Sequence, residues 1–265
     1  MLLSFAAASF HIVPRTARAM PSQVKLAING ANGRMGLALQ DLLRGDARFE
    51  LVGAIAASSG WRGVPTPDAV VDFSSPAGFD AALAHCVARR TALISGTTGL
   101  DDSQRRALTE AARTIPVLHA ANFSLGIAVL TRALREAAAA LPDWDLEIVE
   151  AHHARKIDAP SGTALALGRA AAEARNKKFD EVAVLSRGGQ VGARREGAIG
   201  FASIRAGDVV GEHTAMLATS GERLELSHRA TDRAIFARGA LAAAAWIARQ
   251  PPGAYSLDDV IGAIR

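Results

Sequence analysis

Short apolar runs alternate with stretches of helical periodicity through the first half of this chain. Residues 24–29 (Val24-Lys25-Leu26-Ala27-Ile28-Asn29) run into a glycine, the pattern of a short buried strand. From 33 to 44, Met35, Leu39, Leu42 and Leu43 recur on one side of a helix. Further strands are predicted at 50–56, 70–73 and 91–95, with helices at 76–90 and 101–113. Pro76 suits a first helical position, where its missing N–H costs nothing. The run 115–119 closes the series. Strands and helices alternating at this length predict a parallel sheet covered on both faces.

After Phe123 the texture changes. Residues 125–140 and 161–175 read as helices, the second rich in alanine, and 145–150 as a strand between them. From 182 to 230 the pattern is strand-rich, with turn signals at Gly188-Gly189, Gly207-Asp208 and Ser220-Gly221, which predicts a mainly antiparallel sheet. Residues 235–249 and 257–264 are helical again. The expected fold class is α/β: a Rossmann-like parallel sheet followed by an α+β unit whose sheet is mostly antiparallel.

Composition narrows the function classes. Hydrophobic residues make up 49% and charged residues 21% of 265 residues, an ordinary globular balance with ample length for a core. No apolar run approaches the ~20 residues of a membrane span, so no membrane partner is expected. The net charge is +4, but Arg15 and Arg18 place +2 of it in the first 20 residues. The remaining basic residues form no dense run, which argues against nucleic acid. The single cysteine, Cys86, excludes an internal disulfide and reads as a small core hydrophobe, so a cytoplasmic location is the default. Residues 1–21 read as an N-terminal extension, disordered or upstream of a true start at Met20. Their arginines follow the apolar stretch instead of preceding it, unlike a secretory leader.

The first strand and helix are joined by Gly30-Ala31-Asn32-Gly33-Arg34-Met35-Gly36, with glycine at every third position. Glycine lets the backbone turn sharply and approach a pyrophosphate, whose charge meets the amides of the helix N-terminus. A ligand-free glycine turn is the plainer alternative, but the position after the first strand of an alternating series favours binding. An acid at the end of the second strand would bond the ribose of NAD. Here Ala56-Ala57-Ser58-Ser59-Gly60-Trp61-Arg62 carries none. NADPH is therefore expected to serve at least as well as NADH, with Ser58, Ser59 or Arg62 near the 2′-phosphate.

The densest polar cluster of the second half runs from Glu150 to Thr163 and holds His152, His153, Arg155, Lys156 and Asp158. Ser161 is a good N-cap, and the amides around Ser161, Gly162 and Thr163 would form an anion site. With Lys156 and the histidines nearby, the cluster suits a small carboxylate with proton donors at hand. No metal is expected, because adjacent histidines diverge in a strand and no HExxH motif is present.

Several motifs occur together and in order: the glycine loop, Gly96-Thr97-Thr98-Gly99, Ala120-Ala121-Asn122-Phe123-Ser124, Glu150-Ala151-His152-His153, Lys156-Ile157-Asp158-Ala159-Pro160-Ser161-Gly162-Thr163 and Gly211-Glu212-His213-Thr214. In these the chain resembles the dihydrodipicolinate reductases over residues 22–265. The resemblance implies reduction of 4-hydroxy-tetrahydrodipicolinate with NADPH or NADH, in diaminopimelate and lysine biosynthesis. It implies Lys156 as proton donor and His152 as second acid/base group, with His153, Ser161, Gly162 and Thr163 on the substrate carboxylates. Gly30, Ala31, Asn32, Gly33, Arg34, Met35, Gly96, Thr97, Thr98, Ala120, Ala121, Asn122 and Phe123 would lie along the dinucleotide. It further implies a dinucleotide-binding domain from 22–123 and 234–265, a substrate and oligomerisation domain at 124–233, a hinge arginine at Arg233 and a homotetramer. The segment 57–67 is shorter than in better-known members, and Ala57-Ser58 replace an acid and arginine that some members carry, which leaves cofactor preference open.

Rival enzymes fit less well. A short-chain dehydrogenase needs Tyr-x-x-x-Lys, but the only tyrosine, Tyr255, is followed four residues on by Asp259. A sensor that had lost its chemistry would be expected to lose Lys156 or the histidine pair, and both are present. An aspartate or sugar dehydrogenase is disfavoured by the Ser-Gly-Thr anion site after the histidines.

Overall fold

The computed structural model describes residues 23–263; the reading of residues 1–21 as an extension falls outside them. The first layer runs β1 (Val24–Asn29), α1 (Arg34–Leu43), β2 (Phe49–Ile55), β3 (Ala69–Asp72), α2 (Pro76–Arg89), β4 (Ala92–Ser95), α3 (Asp102–Ala111) and β5 (Pro116–His119). These strands are all parallel, in the sheet order β5-β4-β3-β1-β2. From β1 the chain moves outward to β2 and then returns to the other side at β3. The reversal opens a crevice at the C-terminal ends of β1 and β3, where open α/β sheets bind ligands.

The sequence reading closed this series at 115–119, and the structure corrects it. A sixth strand, β11 (Gly253–Tyr255), lies parallel to β5, with Gly253, Ala254 and Tyr255 beside Pro116, Val117 and Leu118. Three residues after two prolines carry no readable alternation, so backbone pairing alone defines this strand.

Helix α7 (Ala234–Ile247) covers one face of the first sheet. Its Ala237, Ala240, Leu241, Ala244 and Ile247 are buried in one cluster with Leu26, Ile28, Val71 and Ile94. Gly239 lets it come close: a Cβ there would stand 1.7 Å from the Phe123 carbonyl oxygen. On the other face, Phe79, Ala82, Leu83 and Cys86 of α2 pack on Val70, Leu93 and Ile115. Cys86 is fully buried and its thiol pKa is pushed up by burial, so it is inert packing.

The remaining elements are α4 (Leu125–Ala140), β6 (Asp145–His152), α5 (Gly162–Ala174), α6 (Phe179–Val182), β7 (Ala183–Val184), β8 (Ile199–Arg205), β9 (Gly211–Thr219), β10 (Glu222–Ala230) and, after β11, α8 (Leu257–Ala263). The second sheet has the order β10-β9-β6-β8-β7. Strand β9 runs antiparallel to both neighbours, and these are its long pairings. The parallel pairing of β6 with β8 arises because α5 carries the chain back across the sheet. Residues 185–198 form a loop in a region read as strand-rich; Gly189, Gly192 and Gly197 adopt positive φ there, and Arg187 and Arg194 pair with Glu147.

Helices α4 and α5 cover one face of this sheet, burying Leu134, Leu146, Ile148, Leu167, Phe201 and Leu217. Strand alternation keeps Leu146, Ile148 and Glu150 on that same face. Glu150 is paired in register with His213, and His213 with His228. The apolar face therefore ends in a row of polar side chains, at the end of the sheet facing the crevice residues. Among the described residues no helix is long and apolar enough to cross a membrane.

Candidate active site

The glycine loop is built for close backbone approach. Gly30 has φ +83°, and a Cβ on it would stand 2.4 Å from the Phe73 carbonyl oxygen at the end of β3. A Cβ on Gly36 would stand 2.3 Å from the Gly30 oxygen, so α1 seats directly on the loop. Gly33 is the N-cap of α1 and offers no side-chain acceptor, whereas α2, α3, α4 and α5 are capped by Ser75, Asp101, Ser124 and Ser161. The first amides of α1 are thus left for another acceptor.

A cavity of about 780 Å³ lies over this loop, lined by Gly30, Asn32, Gly33, Ser58, Trp61 and Ser74 among others. Trp61 enters it from the segment after β2, stacked on His85 of α2 with ring centroids 4.2 Å apart. Ser59 folds its hydroxyl back onto the Ala56 backbone, and Arg62 is exposed outside the lining. Of the three residues considered for a 2′-phosphate, the structure brings only Ser58 to the cavity. Ala31 is buried and Arg34 is exposed on the first turn of α1. Met35, Gly96 and Phe123 line an adjoining cavity of about 330 Å³ together with Asn122 and Thr163.

Asp72 organises the ends of these strands. Fully buried, it accepts hydrogen bonds from Asn29 Nδ2 (2.8 Å), Ser95 Oγ (2.7 Å) and Thr97 Oγ1 (2.8 Å). The Thr97 hydroxyl also accepts from the Ser74 amide, so its side chain is held in the framework. Thr98 is the one that reaches open space.

That space is a third cavity, of about 490 Å³, between the two sheets' C-terminal elements. Thr98, Ala120, Ala121 and Asn122 line it from the first layer; His152, Lys156, Ser161, Gly162 and Thr163 line it from the second. Asn122 Nδ2 donates to Thr163 Oγ1 across the gap at 3.0 Å. Lys156 Nζ donates to Asp158 Oδ1 at 2.6 Å. Ser161 is the N-cap of α5, as its sequence position implied. Its hydroxyl accepts from the Ala164 amide and meets His213 Nε2 at 3.0 Å. The amides of Gly162 and Thr163 precede the first helical hydrogen bond and stay available. His153 does not line the cavity, and its Nδ1 is buried without a partner. Burial lowers its pKa, and Arg233, Arg155 and Lys156 lower it further, so this rim is cationic.

Beneath His152 lies a buried network that sequence reading did not single out. Glu150 Oε2 accepts from His152 Nδ1 at 2.6 Å, and Arg205 of β8 grips both oxygens at 2.9 and 2.7 Å. Oε1 also accepts from the Ser161 amide. Burial works to raise the Glu150 pKa, but Arg205, Ser203 and His152 hold it down at about 2. His213 is pulled the other way: burial, with His152 next to it, lowers its pKa to about 4. His228 likewise meets the cap Ser124 at 3.2 Å. Motif membership of Glu150 and His213 was the available signal; Arg205 had none before the β6–β8 register was known.

The His213 shift predicts how stability varies with pH. Its folded pKa of about 4 lies below the ordinary 6.5, so the unfolded chain binds a proton first as pH falls. Stability should be intact above pH 6.5 and decline between 6.5 and 4 by about 3 kcal/mol. Glu150, ionised in the fold, adds a further loss as pH falls from 4.5 towards 2. Urea unfolding at neutral and mildly acidic pH checks this; His213→Asn should flatten the upper limb, and an equally steep limb in that variant would contradict the assignment.

Comparison with known proteins agrees along the whole described chain. Residues 24–123 match the family model for the dihydrodipicolinate reductase N-terminus, and residues 126–261 match that for its C-terminus. The chain is 46% identical over 255 residues to the 4-hydroxy-tetrahydrodipicolinate reductase of Xanthomonas campestris pv. campestris strain B100, covering 91% of this chain and 98% of that one. It is 45% identical over 254 residues to the enzyme of the same name from Caulobacter vibrioides, covering 92% and 99%. A dipicolinate-bound dihydrodipicolinate reductase from Paenisporosarcina sp. TG-14 shares the fold, with a TM-score of 0.74 at 22% identity over 89% of this chain and 99% of that one. With both halves matched and such relatives aligned nearly end to end, the chain belongs to the dihydrodipicolinate reductase family.

Proposed function

We propose that the joined cavities hold a nicotinamide dinucleotide and a cyclic dicarboxylate, and that His152 and Lys156 manage protons at their junction. The reaction of the family is the reduction of 4-hydroxy-tetrahydrodipicolinate in lysine and diaminopimelate biosynthesis, and this chain is an oxidoreductase of that kind. One observation carries the residue roles: His152, Lys156 and the open amides of Gly162 and Thr163 line one cavity, facing Thr98 and Ala120.

The loop fits a dinucleotide, since Gly30 and Gly36 form a cradle that any Cβ would fill. The pyrophosphate is assigned to Gly30, Ala31, Asn32 and Gly33 with the first turn of α1, Arg34 and Met35 flanking it. Gly96, Thr98 and residues 120–123 are assigned to the nicotinamide end, with Thr97 supporting them from the framework through its bond to Asp72. When bound, the reduced nicotinamide supplies a hydride to ring C4. Everything else falls to the chain. The amides of Gly162 and Thr163, with the Thr163 hydroxyl, bind one carboxylate. Ser161 contributes by capping the helix that presents them, and His153 with its cationic neighbours draws the second carboxylate. Lys156 Nζ delivers the proton, and His152 serves as second acid/base group. Homotetramer assembly through the outer face of the second sheet, where Ile204 is half exposed, and a cytoplasmic setting belong to the same reading.

The test is a coupled assay with pyruvate, aspartate semialdehyde and the preceding synthase, following NADPH consumption. No consumption by the purified protein overturns the reading. Cofactor choice is expected to favour NADPH at least equally, because Ala56, Ala57 and Ser58 put no carboxylate where a ribose-binding acid would sit. Comparing kcat/KM for the two cofactors checks it, and a strong NADH preference contradicts it.

A further inference from the structure

We propose that Glu150 is the positioning residue for His152, with Arg205 as its anchor, so that the neutral ring carries its proton on Nδ1 and leaves Nε2 as the open acceptor. The inference rests on the acid/base role proposed for His152, and its geometry is independent of that role. Glu150 has no exposed side-chain surface and sits two residues before His152 on the same face of β6. Its two oxygens take four hydrogen bonds. Oε2 meets His152 Nδ1 and Arg205 Nη1; Oε1 meets Arg205 Nη2 and the Ser161 amide at 3.2 Å.

Three of these four partners can only donate, since a guanidinium and a backbone amide carry no acceptor lone pair. An ionised carboxylate can only accept. The fourth partner, Nδ1, must therefore hold the hydrogen, and the neutral ring has its lone pair on Nε2. That nitrogen is not sealed off, unlike Nδ1 of His153 and His213. Gly211 helps to keep it open, because a Cβ there would stand 3.1 Å from Nε2. One carboxylate thus sets the ring's tautomer, ties β6 to β8 through Arg205 and tethers the cap of α5 through the Ser161 amide.

The isosteric variant Glu150→Gln makes the claim testable. Its amide nitrogen must replace one oxygen. At Oε1 it would face two obligate donors, Arg205 Nη2 and the Ser161 amide. At Oε2 it faces one obligate donor, Arg205 Nη1, and the imidazole, which can accept by moving its proton to Nε2. The second arrangement leaves fewer donors opposed, so E150Q should select the opposite tautomer and close the acceptor.

The experiment is a two-bond 1H–15N correlation spectrum of histidine-labelled protein at about pH 9, where ordinary imidazoles are neutral. His152 is assigned by its loss in H152Q. The wild type should show hydrogen on Nδ1 and E150Q on Nε2. In parallel, kcat of E150Q should fall about a hundredfold, with KM for the dinucleotide little changed, and E150D should recover part of the loss. Hydrogen on Nε2 in the wild type overturns the proposal even where E150Q does not fold; so does an E150Q enzyme with wild-type kcat. Unchanged turnover in H152Q would instead remove the acid/base role of His152 and leave the tautomer assignment standing, so the two readings fail separately.

Discussion

Lys156→Ala is expected to lower kcat by about two to four orders of magnitude, the range of a positioned general acid, with a much smaller change in KM. Lys156 lies in the turn between β6 and α5, where its amide donates to the His153 carbonyl and its ammonium is anchored on Asp158. Its side chain is only 20% exposed and lines the cavity opposite the first layer. Lys156→Arg separates charge from proton delivery. A guanidinium keeps the positive field for a dicarboxylate but does not release its proton at working pH. The arginine variant should therefore bind substrate and turn over as poorly as the alanine variant. Steady-state kinetics on the three proteins settles it; wild-type kcat in Lys156→Ala would refute the assigned role.

Gly30→Ala should be the most damaging single-methyl change in the dinucleotide loop. Two costs combine. The residue holds φ +83°, which an L side chain adopts only with strain, and its Cβ would fall 2.4 Å from the Phe73 oxygen and 2.8 Å from its carbonyl carbon. Both are backbone atoms of the segment leaving β3, so the crevice itself must widen. Together these costs are about 2–5 kcal/mol, and KM for the dinucleotide should rise at least about tenfold as the loop moves. Gly60→Ala is the control. Gly60 also has positive φ, +62°, but no atom lies within 4 Å of its built Cβ. It should lose only the conformational part, about 1 kcal/mol. Thermal unfolding and cofactor KM for both variants check this, and equal losses would mean that close approach to Phe73 does not matter.

Much of the fold was legible because periodicity and punctuation agreed. The strand 24–29 and the helix 125–140 were bounded as they stand; in the structure Ser124 caps that helix and it ends at Leu141. Pro76 and Ser161 marked helix starts for the reasons that make proline and serine common there. Strand β6 ran two residues further than its apolar pattern, because Ala151 and His152 are held by pairing with Ile204 and Arg205. A local pattern cannot show that. The same blindness hid β11, and it hid Arg205, whose importance comes only from lying beside Glu150 in the folded sheet. For the site, sequence named His152, Lys156, Ser161, Gly162 and Thr163 of the cavity lining, but not Thr131, Arg135 or Asp258, nor the groups behind them. Thr97 and Ser161 stood in the right motifs, yet their hydroxyls serve the framework, on Asp72 and on the first turn of α5.

The sixth strand and the helix before it have a bearing on how the chain is made. On a ribosome the segments that become β1 to β5 emerge first, but the helix that covers Leu26, Ile28, Val71 and Ile94, and the strand that flanks β5, come more than a hundred residues later. Until then the nascent sheet has one apolar face covered only in part, by α1, and an unpaired edge beside β5, the kind of surface that chaperones hold. The glycine-loop half is thus begun first and completed last, after His152, Lys156, Ser161, Gly162 and Thr163 have already been synthesised.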